Sequence, residues 1–170
     1  MVNEDEKLQR INNEMLDPLE LRELVGISYK MDRAVASHSC ANISILKLLS
    51  ASPDIQTRRN VVKNPNINCD ILLSLASEFP HDFFTHPILP FLLLEDPEIL
   101  HNLKAGVLQA FLASGECSQT LVMYAAKSGS QGEQMAVLKR DCIKPDVLEL
   151  LTKSQFPRVS EAAFNKCLEI

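Results

Sequence analysis

Apolar residues recur along this chain as short pairs of stripes, each pair split by a polar corner. The clearest pair lies between Pro53 and Ser77. Val61 and Val62 form its first stripe, Asn64-Pro65-Asn66 the corner, and Ile71, Leu72, Leu75 and Ala76 the second stripe. Residues at i, i+1, i+4 and i+5 share one face on a 3.6-residue period, so the second stripe predicts a helix. Asp54, after Pro53, predicts the start of the first helix, because a carboxylate there accepts from free backbone N–H groups. Asn64-Pro65 predicts its end. The residue before proline is pushed out of the α region, and asparagine tolerates left-handed geometry. Asp70 is the expected cap of the second helix. Neither helix can bury its stripe alone, so each pair needs neighbours.

The same columns return elsewhere. Arg33 to Cys40 realigns with Arg59 to Asn66, 26 positions later, and is followed by Ile45, Leu46 and Leu49. Ala110 to Ala113 leads to Leu121, Val122 and Ala125, and Ala136 to Lys139 leads to Val147, Leu148 and Leu151 behind Pro145-Asp146. Val159 to Phe164 reads as a first half alone. Asp17-Pro18 with Leu21, Leu24 and Val25 reads as a second half alone. Half-units at both ends are the expected caps of an open stack. Val61, Leu75, Leu121 and Leu148 are expected inside.

One unit departs from the rest. From Pro80 to Pro97 the chain reads PHDFFTHPILPFLLLEDP. Thr85-His86-Pro87 holds the corner, 22 positions after Lys63-Asn64-Pro65. The following helix is confined between Pro90 and Pro97, and Phe91, Leu92, Leu93 and Leu94 leave it no polar face. A short helix of this kind either thickens the core or forms an exposed patch. The second reading makes Phe83, Phe84, Phe91 and Leu93 the candidate anchor for a protein or peptide.

These columns resemble the leucine-rich repeat variant family, relatives of the HEAT and armadillo repeats. The resemblance rests on RRNVVKNPNINCDILLSLA and spans roughly Asp17 to Phe164; only this unit is close to the family pattern. It implies an all-α fold, a right-handed α-α superhelix with α-helices in one layer and shorter helices, some of them 3₁₀, in the other. Residues 1–16 are then a capping helix or mobile leader, and 17–170 one solenoid domain of about six units. A prototype-like family member holds an iron–sulfur centre through an N-terminal cysteine cluster. This chain has no Cys before Cys40, so no cofactor is carried over. The family implies no single activity; most of its members are presumed binding scaffolds.

Composition narrows the classes. The absence of Trp and the scarcity of Gly argue against an all-β fold. A net charge of −5 weighs against nucleic acid and anionic membranes as partners. Met1 to Arg10 is charged and has no signal-peptide core, and Ile88 to Leu94 is too short to span a bilayer, so a soluble cytoplasmic protein is expected. The oligomeric state is left open.

Candidate chemistry is thin. Cys40, Cys69, Cys117, Cys142 and Cys167 form no C-x-x-C pair and read as small buried corner residues. His81, His86 and His101 lie near Asp82, Glu95 and Asp96 in sequence, but without the spacing of a helical ligand pair. His86 reads instead as a residue that satisfies the corner. Cys69 or Cys117 with a histidine lacks any nucleophile signature. Basic residues repeat in or beside equivalent columns, among them Arg33, Arg59, Lys63, Lys139 and Arg140. Such a stripe is the candidate phosphate-binding surface of a second reading, a nucleic-acid-binding, repair-related protein similar to HEAT-like DNA glycosylases. The aromatic residues and catalytic acid of those enzymes have no recognisable counterpart here. The leading reading is therefore a non-enzymatic, protein-binding scaffold without metal or cofactor.

Overall fold

The computed structural model describes residues 3–96, 98–104, 106–114 and 117–168, and every regular element among them is helical. The chain falls into two compact units, residues 1–102 and 103–170. The first holds α1 (Glu4–Asn13), α2 (Pro18–Leu24), α3 (Tyr29–Ser37), α4 (Ile43–Leu49), α5 (Ile55–Lys63), α6 (Cys69–Leu75), α7 (Pro80–Phe84), α8 (Leu89–Glu95) and a 3₁₀ turn (Ile99–Asn102). The second holds α9 (Val107–Ala113), α10 (Gln119–Ser128), α11 (Gln131–Leu138), α12 (Pro145–Thr152) and α13 (Pro157–Cys167).

In the first unit, α3 packs on α1 and α5, α5 packs on α7, and α2 packs on α4. In the second unit α11 lies between α9 and α13, and α10 packs on α12. Successive helices also touch, from α2 to α7 in the first unit, and most stripes are covered in this way, although Leu24 and Val25 stay half-buried. The residues that face inward are those of the periodic columns. Ile45, Leu46, Val61, Val62, Leu72, Ala76, Leu112 and Val137 have no exposed surface. Val61, Leu75, Leu121 and Leu148 are all buried. Burial of each large aliphatic side chain is worth about 1.5–3 kcal/mol, which no single seven-residue helix collects by itself.

The caps recur with the same period. Asn42 and Asn68 each accept the N–H three residues on and open α4 and α6. Ser28 and Asp54 open α3 and α5. Asp70 therefore does not cap α6. It sits inside the first turn, because Asn68 is the residue with extended backbone at the helix start. Asn64 ends α5 with φ −72°, not in the left-handed region, and its side chain rather than its backbone freedom explains its place. Helices α2, α4 and α6 are α-helical; the 3₁₀ element among the described residues is Ile99–Asn102.

The leader, expected as a capping helix or mobile segment, is a helix that packs on α3; beyond it Met15 is 81% exposed and Leu16 is buried. Glu14 ends α1 in extended conformation, so Met15 lies outside the helix. Helix α8 makes no extensive contact with any other helix among the described residues. Its expected stop, Pro97, lies outside them.

Candidate functional site

The polar corner is a clamp. The Asn64 side chain is buried; its amide donates to the carbonyls of Ala36 (2.8 Å) and His38 (3.0 Å), at the end of α3. Its Oδ1 accepts the N–H of Asn66 (2.9 Å). Asn66 in turn donates to the carbonyls of Ser39 and Ala41. A helix end leaves carbonyls without partners, and here the next helix pair supplies the donors. His38 repeats the arrangement one step earlier. Its Nδ1 accepts the Cys40 N–H (3.1 Å), and its Nε2 donates to the Glu14 carbonyl (3.0 Å) beyond α1.

In the second unit the column carries cations. Arg140 donates to the Leu112 carbonyl (2.9 Å), and Lys166 to the carbonyls of Leu138 (2.6 Å) and Arg140 (2.8 Å). Arg140 to Leu112, Lys166 to Leu138 and Asn64 to Ala36 all span 28 positions. Four side-chain types thus perform one task, and what they share is a donor long enough to reach back. His86, 5% exposed, completes the column in α7's corner. Its Nδ1 accepts the Ile88 N–H (3.2 Å), and its Nε2 meets no acceptor within hydrogen-bond geometry. Burial lowers its pKa below the usual histidine value, with the nearby Asn64 carbonyl opposing part of the shift.

The basic column is engaged. Arg33 holds Asp54 through two bonds, Nε to Oδ2 (2.8 Å) and Nη2 to Oδ1 (2.6 Å). This guanidinium keeps the Asp54 carboxyl well below the usual carboxylate range, aided by Thr57 and opposed by burial. Arg59 meets Asp82 at 2.6 Å, and Lys63 lies 3.5 Å from the same carboxylate. Arg58 pairs with Glu78 and also donates to the Ser52 carbonyl. Of the five candidate phosphate ligands, Arg33, Arg59 and Lys63 face acids, and Arg140 serves its corner. Lys139 is exposed, with no ion-pair partner among the described residues.

The aromatic anchor divides. Phe83 is fully buried and meets Phe84, 6% exposed, edge to face at 4.9 Å. Both are core residues that no partner can touch, because α7 packs against α5 and α6 and turns them inward. Leu89 at the start of α8 is also buried, and Leu92 and Leu93 are half-buried. Phe91 and Leu94, three residues apart and so on one side of the helix, are 66% and 81% exposed. The apolar middle therefore does both: Phe83, Phe84 and Leu89 belong to the core, and Phe91 and Leu94 form an exposed apolar side of α8.

The remaining candidates do not assemble. Cys40, Cys69 and Cys117 are half-buried, and Cys142 and Cys167 are exposed, so none is the fully buried corner residue expected. Burial pushes the Cys69 and Cys117 thiols up; Asp70, Asp96 and Glu95 add to the shift at Cys69, whereas Arg140 opposes it at Cys117. A raised thiol pKa keeps the sulfur protonated near neutrality, the wrong state for a nucleophile. Among the described residues no three His, Cys, Asp or Glu side chains converge as metal ligands. No helix among them is long and apolar enough to cross a membrane. No known protein family matches this chain, and no curated protein or solved structure is detectably similar to it.

Proposed function

We propose that this chain is a non-enzymatic scaffold of the α-solenoid kind, related in design to leucine-rich repeat variant proteins, that binds a protein or peptide through α8. The observation that carries the reading is the exposure of Phe91 and Leu94 on a helix that lacks a polar face. An apolar side chain left in water forgoes about 1.5–3 kcal/mol of burial, which an interface would recover. The recurring clamps and caps support a rigid presentation of that surface, since specificity in repeat proteins comes from exposed positions of successive units.

The experiment is capture of partners from native extract by the wild-type chain and by Phe91→Asp. A partner retained by the first and lost by the second, with unchanged circular dichroism, is the expected result. Equal capture by both rules out α8 as the anchor. The competing nucleic-acid reading loses support from the acids that already answer Arg33, Arg59 and Lys63.

A further inference from the structure

Between Lys63 and Lys104 the sequence has no Lys or Arg, yet it has six carboxylates: Asp70, Glu78, Asp82, Glu95, Asp96 and Glu98. Two of them are answered from α5, Glu78 by Arg58 and Asp82 by Arg59 and Lys63. The other four are exposed and meet no cationic side chain among the described residues. Three of them lie near one another. Glu95 and Asp96 close the C-terminus of α8, and together with Asp70, in the first turn of α6, they bear electrostatically on Cys69. A helix C-terminus favours cations, and α8 has no basic residue in its last turn. Uncompensated negative charge thus adjoins the exposed faces of Phe91 and Leu94.

We propose that the occupant of this surface is a basic amphipathic helix of a partner protein. Its apolar stripe covers Phe91 and Leu94, and its Lys or Arg residues meet Glu95, Asp96, Glu98 and Asp70. The proposal rests on the docking reading of α8 given above and adds the chemistry of the partner. A second copy of this chain is the wrong occupant, because a symmetric contact would set the same anionic stretch against itself. A nucleic acid or an anionic membrane meets the same repulsion. A helix fits because the exposed pair is spaced three apart, the ridge that another helix packs against.

The test uses the full chain and labelled helical peptides of about 18 residues, long enough to hold a helix. One is an amphipathic Leu/Lys peptide, one has Gln in place of each Lys, and one has Glu. Fluorescence anisotropy is read at low salt and at about 0.15 M salt. The Leu/Lys peptide is expected to bind best, more weakly as salt rises. Phe91→Asp and Leu94→Gln each reduce its affinity about tenfold or more. The combined variant Glu95→Gln, Asp96→Asn, Glu98→Gln removes most of the salt dependence. Both apolar positions are exposed, so the variants keep the wild-type helical content. If the Gln peptide binds as tightly as the Lys peptide and still depends on Phe91, the charge selection is overturned while α8 stands as a docking site. If no peptide's binding depends on Phe91 or Leu94, both readings fall. A dimer in sedimentation that Phe91→Asp dissociates makes a second copy the occupant and also overturns the proposal.

Discussion

Asn64 buries a primary amide and uses both of its ends. Replacing it with alanine removes the two donors to α3 and leaves the carbonyls of Ala36 and His38 short of partners. Asn64→Ala should lower stability to urea by about 2–3 kcal/mol, the cost of buried groups left unsatisfied. Asn64→His should cost less, because His38 already fills the equivalent place. His86 gives a prediction in pH. Burial puts its folded pKa below the unfolded value of 6.5. As pH falls between the two values, the unfolded chain gains the proton and the folded chain does not, so stability falls with pH. Urea midpoints at about pH 7.5 and about pH 5.5 should show a larger loss for wild type than for His86→Asn. The residue type was legible here as a polar corner. Its task was not, because the acceptors lie more than 20 positions back and are backbone atoms.

Among the elements, short helices depend on how they begin and end. Asn68→Ala removes the side-chain cap of α6 and should cost about 1 kcal/mol in thermal or chemical unfolding. Gly129 joins α10 to α11 so closely that an added Cβ would sit 2.3 Å from the Ala125 carbonyl oxygen. Gly129→Ala therefore shifts backbone and should destabilise by more than about 1 kcal/mol. The helices α7 and α8 separate core from surface. Phe83→Ala should cost about 3–5 kcal/mol by opening a cavity. Phe91→Asp should change stability by less than about 0.5 kcal/mol, as an exposed substitution does. The sequence marked α8 as unusual through its run of apolar residues. It did not say which of them are covered, because that depends on packing against elements distant in sequence.

For the whole molecule, charge placement matters more than charge total. The net −5 includes a central stretch that is purely acidic, while Arg33, Arg58 and Arg59 answer acids of the next helix pair. A gel-shift titration with single- and double-stranded DNA at low salt should show no complex, since phosphate binding is strongest there and few of the repeated cations stand free. A shift that disappears with salt and with Lys139→Ala would restore the nucleic-acid reading.

Periodicity alone determined that much of the chain forms short helices, and it named many of the buried residues, from Ile45 and Leu46 to Val147 and Leu148. A helix repeats every 3.6 residues whatever surrounds it, so its apolar face is written locally. Only tertiary structure decided that Asn64, Arg140 and Lys166 clamp a preceding helix, and that Phe83 lies inside while Phe91 lies outside. Those outcomes turn on which atoms other helices bring within a few ångströms, and pairs so far apart in the chain leave no local mark.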